Sequence, residues 1–446
     1  MIFMELENSK GTRDFGPEDK IVRNEVVDKL RSVFERYGFS PLETPIIEKY
    51  DLLAAKAGAG EESDALKEIF TLTDQGQRKL GLKFEQTLSF ARFIGMNPNL
   101  KMPFKRYEIG PVFRDGPIKL GRYRQFWQCD VDIVGCKEMI VDSEIILLAL
   151  DAFKELGLDA YVEVNNRKLL RGIIEFAGIP ESLANSVIIS VDKMNKVGKD
   201  GVIKELDDKR IARDSISKLI SAFSLNGSFD EKLNMLKGLI NNEVGKEGLK
   251  EIEETFSYFS EGQKKNIIFN ASLARGLGYY TGTIFEGFVR NSEVTSSICG
   301  GGRYDKMIPG LLQNEREYPC VGISFGLDVI TDVFKTAKKA AEAGSGVGSD
   351  KKTVVKVYVI PIKTTKECFG ICSELRKAGI NADMDFQGRG VSKNLDYANS
   401  EGIPFVIIIG PKELGEKKVK LKNMISGEEE MLTAKGAITR IKKAKA

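Results

Sequence analysis

The stretch that most constrains the fold is residues 110–135, GPVFRDGPIKLGRYRQFWQCDVDIVG. Apolar and polar residues alternate over 104–113, and a second strand pattern covers about 123–134. This pattern predicts two strands joined by a loop, which Gly116, Pro117 and Gly121 interrupt. We expect this hairpin to organise the rest of the chain.

The hairpin carries residues suited to a nucleotide and a small ligand. The loop and the start of the second strand supply four cations and two aromatic rings: Arg114, Lys119, Arg122, Arg124, Phe126 and Trp127. Guanidinium groups bind phosphate oxygens, and an aromatic face can stack on a base. Gln128, Asp130 and Asp132 follow at a spacing of two, so all three share one face of the sheet. The alternative is a solvated hairpin with ordinary surface charges.

Composition limits the classes of protein to consider. The 446 residues, 42% of them hydrophobic, are enough for two or three domains. The net charge is +3, but residues 351–446 contain 19 Lys and Arg against 11 Asp and Glu. This excess suggests a C-terminal module that faces a polyanion, although a lysine-rich solvated surface would have the same composition.

The chain contains no histidine, which excludes Ser-His triads, His-ligated zinc and general acid–base catalysis by histidine. Its six cysteines form no CxxC pair, and we assign no metal site. No apolar run approaches membrane-spanning length and no leader pattern opens the chain, so we expect a cytoplasmic protein without membrane contact. Activity between pH 6 and 8 should depend little on side chains, unless a carboxylate or cysteine is strongly shifted.

The rest of the chain divides by pattern. A helix is expected over 18–37, followed by a segment that Pro41 and Pro45 restrict to an edge or interface strand. Residues 167–258 are mostly helical and charged, which suggests an inserted helical domain. Residues 340–352 form a Gly/Ser-rich linker, and 353–446 alternate strands and helices as a compact α/β module.

Several segments together resemble the histidyl-tRNA synthetases, a family of class II aminoacyl-tRNA synthetases, with an archaeal or eukaryote-like character. They are KGTRDF, GFSPLETPIIE, FRDGPIKLGRYRQFWQCDVDIVG, LARGLGYYTGTIFE, CGGGRYDKM and FQGRGVSKNLDYANSEGIPFVIIIG. The second and third match class motifs 1 and 2, and the next two match the histidine-specific signatures. The order of these segments makes the resemblance specific.

The resemblance implies an α+β fold, with an antiparallel sheet flanked by helices, a helical insertion and a C-terminal α/β anticodon-binding domain. The implied division is 1–166 and 259–339 for the catalytic core, 167–258 for the insertion, 340–352 for the linker and 353–446 for the anticodon-binding domain. It also implies a homodimer formed through motif 1. The implied activity is ATP- and Mg²⁺-dependent ligation of L-histidine to tRNA(His), through a histidyl-adenylate.

The resemblance also implies roles for individual residues. The ATP-binding residues would be Arg114, Arg122, Tyr123 and Phe126. The histidine-binding residues would be Glu85, Thr87, Gln128, Asp132, Arg275, Tyr279, Tyr280 and Tyr304. Arg114 and Arg275 would be catalytic, because they face the α-phosphate where charge accumulates. Gln387, Arg389 and Lys393 would contact the tRNA.

Two departures and two alternatives accompany the resemblance. Val329 stands where motif 3 of the family has an arginine, for which Arg316 is a possible substitute, and Gly278 stands where the first histidine signature has an aspartate. A catalytically silent relative regulates the first enzyme of histidine biosynthesis, but it lacks the anticodon module and degrades the signature around Arg275. A simple RNA- or amino-acid-binding module would explain the basic C-terminus but not the adenylate-site residues.

Overall fold

The computed structural model describes residues 6–55, 67–118, 123–275, 278–343 and 352–444. The chain divides into two compact units, which are described separately. One comprises Met1–Arg13 and Val26–Ala337, and the other comprises Asp14–Glu25 and Lys338–Ala446.

An eight-stranded sheet forms the centre of the larger unit, in the order β1-β5-β6-β11-β10-β9-β7-β8. Its strands are β1 (Ser40–Pro41), β5 (Phe104–Phe113), β6 (Gln125–Val134), β7 (Ala160–Asn166), β8 (Ile267–Phe269), β9 (Thr283–Val289), β10 (Cys299–Arg303) and β11 (Cys320–Gly326). The six inner strands are antiparallel, whereas β1 and β8 pair in parallel at the two edges. The predicted hairpin is β5–β6, close to its expected bounds.

A smaller sheet and a set of helices precede the second unit's sheet in the chain, and the start of the first helix and the end of the last one belong to the second unit. The small sheet contains β2 (Ile47–Lys49), β3 (Thr71–Thr73) and β4 (Lys79–Leu82). The helices are α1 (Pro17–Arg36), α2 (Tyr50–Ala55), α3 (Thr87–Met96), α4 (Ile140–Glu155), α5 (Arg167–Phe176), α6 (Glu181–Val191), α7 (Met194–Asp208), α8 (Arg213–Phe223), α9 (Phe229–Leu239), α10 (Glu243–Ser257), α11 (Glu261–Lys264), α12 (Met307–Leu312) and α13 (Leu327–Ala343). From Arg167 to Lys264 the chain is therefore a succession of helices.

The apolar spacing that predicted the first helix also explains its packing. Val26, Leu30 and Phe34 are buried, and the Phe34 ring lies 5.7 Å from that of Phe325 in β11. The proline-containing segment after α1 contributes only short edge strands, β1 in the large sheet and β2 in the small one, because proline cannot donate to a sheet ladder. The prediction of an edge strand is confirmed.

The second unit contains a five-stranded sheet in the order β13-β12-β14-β15-β16. Its elements are β12 (Val357–Pro361), α14 (Thr365–Lys377), β13 (Ala382–Met384), α15 (Val391–Ser400), β14 (Phe405–Ile409), α16 (Pro411–Gly415), β15 (Val419–Asn423), β16 (Glu429–Leu432) and α17 (Ala434–Lys443). Cys368 and Cys372 pack into its core as buried thiols. Helix α13 reaches Ala343, so the expected linker begins within a helix, and residues 344–351 lie outside the described part.

Among the described residues, no single helix is long and apolar enough to cross a membrane. One bent pair, α5 with α6, passes such a test by length and composition only, across a 113° bend.

Candidate adenylate site

The predicted row of polar residues on β6 lies on one face of the large sheet. Gln128, Asp130 and Asp132 pair with Gly110, Glu108 and Arg106 of β5 on one side. On the other side they pair with Gly326, Ser324 and Gly322 of β11. The two aspartates are 3% and 4% exposed, so this face is a buried polar site rather than a solvated surface.

Three buried acceptor oxygens in this row receive no aligned hydrogen bond from the described residues: Gln128 Oε1, Asp130 Oδ1 and Asp132 Oδ2. Of these, Asp132 Oδ2 has a charge contact, with Arg106 Nη2 at 2.7 Å. The Gln128 amide is fixed because its Nε2 donates to Ser324 Oγ at 2.9 Å. A buried acceptor without a donor costs about 1–3 kcal/mol. The row is therefore suited to a ligand that brings N–H groups.

Asp132 is held from several sides. Tyr304 donates its hydroxyl proton to Asp132 Oδ1 at 2.5 Å, and Arg106 Nη2 lies 2.7 Å from Asp132 Oδ2. A Cβ at Gly322 would lie only 1.9 Å from Asp132 Oδ1, so only glycine leaves room for the carboxylate there. Burial raises the pKa of Asp132, whereas the charge of Arg106 lowers it.

The sequence analysis expected little side-chain titration between pH 6 and 8 unless a carboxylate or cysteine had a strongly shifted pKa. Asp130 is such a carboxylate. Burial, together with the nearby charges of Asp132 and Glu108, raises its pKa to about 8, although Arg106 and a hydrogen bond with Ser324 act in the opposite direction. Asp130 is therefore protonated over much of the neutral range. Hence side-chain titration near pH 8 is expected even though the chain contains no histidine.

Arg275 and a cluster of tyrosines continue the site beyond Asp132. Arg275 Nη1 donates to the Phe285 carbonyl at 3.3 Å and lies 3.1 Å from Glu286 Oε1. Its guanidinium carbon is 5.6 Å from the centre of the Tyr280 ring. A Cβ at Gly300 would lie 1.6 Å from Arg275 Nη1, so any larger residue at this position would displace the guanidinium.

The tyrosines contact each other. The hydroxyl groups of Tyr279 and Tyr280 are 3.4 Å apart, and the Tyr279 ring meets the Tyr304 ring edge-on at 6.1 Å. Burial raises the pKa of both Tyr279 and Tyr280, and the charge of Glu85 raises each further. The structure therefore brings the predicted residues Glu85, Asp132, Arg275, Tyr279, Tyr280 and Tyr304 to one site.

Glu85 and Thr87 are positioned by a residue that the sequence analysis missed. Gln86, between them, is fully buried and donates through Nε2 to the carbonyls of Gly110 and Gln128, each at 3.3 Å. These bonds fasten the segment before α3 to the β5–β6 hairpin. Thr87 is the first residue of α3 and is partly exposed.

The predicted ATP-binding residues that the structure describes contact two different parts of the chain. Arg114 donates to the Phe84 carbonyl at 3.2 Å, and its guanidinium carbon lies 5.0 Å from the centre of the Phe126 ring. Tyr123 instead contacts Arg13, which donates to the Tyr123 hydroxyl at 3.0 Å. Arg122 lies outside the described residues.

Val329 replaces the arginine of motif 3, and its neighbour Asp328 pairs with a cation from the start of the chain. Asp328 accepts hydrogen bonds from Arg13 Nη2 at 2.7 Å and from the Trp127 amide at 3.0 Å. Arg13 thus places a positive charge beside Asp328 and Val329 of motif 3. Arg316, the substitute suggested by the sequence, is exposed and lies over the Tyr318 ring.

A loop in the C-terminal unit presents the predicted tRNA-binding residues. Buried Asp385 accepts hydrogen bonds from the amides of Gln387 at 2.9 Å and Arg389 at 2.7 Å. The Arg389 side chain donates to Gln387 Oε1 at 3.0 Å, while Lys393 is exposed on α15. This ordered loop displays Phe386 with 71% of its surface exposed, a residue that the sequence analysis did not select.

Comparison with known proteins agrees with this geometry. Residues 11–330 match the family model described as Histidyl-tRNA synthetase, and residues 356–444 match that described as Anticodon binding domain. The chain is similar to Histidine--tRNA ligase 1 of Bacillus cereus, with 42% identity over 431 residues, 96% of this chain and 97% of the relative. Histidine--tRNA ligase of Clostridium tetani is 36% identical over 442 residues, which cover 97% of each chain.

A solved structure is also similar. The histidyl-tRNA synthetase of Nostoc sp. PCC 7120 has a TM-score of 0.82 at 29% identity, and the match covers 99% of both chains. The two relatives and this structure come from bacteria, so the expected archaeal or eukaryote-like character is not supported.

Proposed function

Because this chain belongs to the histidyl-tRNA synthetase family, we propose that it ligates L-histidine to tRNA(His) at the expense of ATP. The observation that carries this proposal is the row of buried acceptors on β6 without aligned donors, which a cluster of three tyrosines connects to Arg275. The substrate supplies complementary groups, namely an α-ammonium, an imidazole N–H and a carboxylate. The carboxyl group of Asp132 and the amide oxygen of Gln128 would gain aligned donors when histidine binds.

In the first step, a carboxylate oxygen of histidine attacks the α-phosphorus of ATP. The bond to the bridging oxygen breaks, and pyrophosphate leaves as the histidyl-adenylate forms. Arg114 and Arg275 stabilise the negative charge that accumulates on the α-phosphate oxygens. In the second step, a terminal ribose hydroxyl of the tRNA attacks the acyl carbon and AMP leaves. The substrate carboxylate is the nucleophile, so a chain without histidine lacks nothing that the chemistry needs.

The binding roles follow from the chemistry of each group. Glu85, Thr87 and Gln128 hold the α-ammonium, since an acid and polar oxygens suit three N–H donors. Asp132 and Tyr280 bind the imidazole, and Tyr279 and Tyr304 enclose it. Phe126 stacks on adenine beside Arg114, a placement supported by their 5.0 Å contact, while Arg122 and Tyr123 bind elsewhere on the nucleotide.

Mg²⁺ would arrive with ATP, since this ion is usually bound by substrate phosphates, waters and one or two carboxylates. The described residues include no group of three or more Asp, Glu or Cys that could hold a metal ion, and such a group is not required for this mode. When bound, the ion would neutralise part of the triphosphate charge.

The C-terminal unit binds the anticodon arm through Gln387, Arg389 and Lys393. The support is the loop braced by Asp385 and the exposed ring of Phe386, because aromatic stacking beside cations is a common way to hold unpaired bases. We also propose the domain division 1–166, 167–258, 259–339, 340–352 and 353–446, a homodimer formed through motif 1, and a cytoplasmic place of action beside translation.

The test is charging of total tRNA with labelled histidine by the full chain. The proposal expects histidine to become linked to a tRNA, and Asp132→Ala to raise the KM for histidine greatly because the ring N–H loses its acceptor. A regulatory subunit without activity would give no charged tRNA. Unchanged histidine dependence in Asp132→Ala would refute the assigned role of the carboxylate.

A further inference from the structure

The buried guanidinium of Arg106 is a group that neither the sequence motifs nor the proposed chemistry uses. Arg106 lies on β5 directly opposite Asp132 of β6, and its side chain is 0% exposed. Arg106 Nη2 is 2.7 Å from Asp132 Oδ2. A charge at this distance in a buried site has a strong influence on the neighbouring carboxylate.

The other side of Arg106 is clamped. Glu108 Oε2 lies 3.5 Å from Arg106 Nη1, and the Phe90 ring centre lies 4.4 Å from its guanidinium carbon. Glu108 is held in turn, because its Oε1 accepts from Lys83 Nζ at 2.8 Å and from the Thr44 hydroxyl at 2.8 Å. Arg106 therefore has little freedom to move away from Asp132.

The contacts of Arg106 are electrostatic rather than directional. Among the described residues, none accepts a well-aligned hydrogen bond from its Nε, Nη1 or Nη2. A buried ion pair of this kind contributes little net stability, since desolvation of the charges offsets their attraction. Stability alone is therefore a weak reason for a fully buried guanidinium here.

We propose that Arg106 is a positioning residue for histidine recognition, which keeps the Asp132 carboxylate ionised and fixed in orientation. This inference rests on the proposed function. Asp132 lies in a buried site beside three other acids, Glu85, Glu108 and Asp130, and without a neighbouring cation it would take up a proton. A protonated carboxyl accepts less strongly from an imidazole N–H. With Arg106 on one oxygen and Tyr304 on the other, Asp132 presents its remaining lone pairs to the ring.

The experiment compares Arg106→Met and Arg106→Lys with the unaltered full chain in ATP–pyrophosphate exchange. The substrates are histidine and an analogue in which sulfur replaces the ring N–H. Arg106→Met should raise the KM for histidine by about 30-fold or more, the cost of removing one member of a buried charge pair. The KM for ATP should change by less than about threefold, because Arg106 does not face the nucleotide residues. Arg106→Lys should recover part of the loss.

The preference for histidine over the sulfur analogue is the decisive measurement, since a merely structural role would not change it. Arg106→Met should reduce this preference by about tenfold or more. Arg92→Met is the control, because Arg92 is a partly buried arginine that pairs with Glu48 at 2.8 Å rather than with Asp132 or Glu108. It should lower stability and leave the preference intact.

Two results would overturn the inference. One is an unchanged preference in folded Arg106→Met. The other, should that variant not fold, is an unchanged preference in Arg106→Gln, which keeps polar atoms at this position but removes the charge. Failure of the proposed function is distinguishable, because the unaltered chain would then show no histidine-dependent exchange.

Discussion

A single added methyl group at Gly300 should impair catalysis without touching the substrate. Gly300 lies in β10 between Glu286 of β9 and Ser324 of β11, and a Cβ there would lie 1.6 Å from Arg275 Nη1. Since non-bonded contacts are about 3.5 Å, the guanidinium must move by roughly 2 Å in Gly300→Ala. A misplacement of this size should lower kcat for histidine-dependent exchange by about 100-fold.

Gly300→Ala should affect stability less than kcat, because the atom that a Cβ would meet is the end of the flexible Arg275 side chain. We expect the free energy of unfolding of Gly300→Ala to fall by about 1–3 kcal/mol at most, measured by urea denaturation. The matched control is Gly310→Ala in α12, where a Cβ would meet nothing within 4 Å. Because Gly300→Ala acts through Arg275, the double variant Gly300→Ala/Arg275→Ala should be no slower than Arg275→Ala. A normal kcat in Gly300→Ala would show that the added methyl group does not displace Arg275. Additive losses in the double variant would show that Gly300→Ala does not act through Arg275.

Three further predictions concern titration, tRNA binding and the nucleotide site. Asp130 keeps its proton up to about pH 8 when folded but loses it near pH 4 when unfolded, so unfolding releases a proton between these values. From pH 5 to 7 the unaltered chain should therefore lose about 1.4 kcal/mol of stability per pH unit relative to Asp130→Asn, and parallel denaturation curves would disprove this. Phe386→Ala should weaken tRNA charging by about tenfold through a higher KM for tRNA and leave exchange unchanged, whereas equal losses in both assays would contradict a stacking role. Arg13→Met, which removes the cation paired with Asp328, should raise the KM for ATP several-fold, and an unchanged KM would mean that the pair only anchors the N-terminal segment.

Local patterns in the sequence predicted the parts of the site that a single element determines. The spacing of two placed Gln128, Asp130 and Asp132 on one face, because side chains on a strand alternate. The alternation over β5 and β6 also predicted the hairpin that anchors the large sheet. Assignment of Glu85, Arg275 and Tyr304 to the same site came from the resemblance to a family.

The features that were missed depend on distant parts of the chain. Arg106 has no local signal, since its importance comes from the register that sets it opposite Asp132. The contact between Arg13 and Asp328 spans 315 positions, so no window of sequence reveals it. The pKa of Asp130 depends on burial between β5 and β11, and the exposure of Phe386 depends on how Asp385 orders a loop.

The buried acceptors of β6 should select histidine for activation. The most direct measurement is ATP–pyrophosphate exchange by the full chain with each of the twenty standard amino acids in turn. A site whose polar groups pair with both the ammonium and the imidazole should reject side chains that leave those groups unpaired. We predict exchange with histidine and with no other amino acid. Exchange with a different amino acid, or with none, would contradict the account.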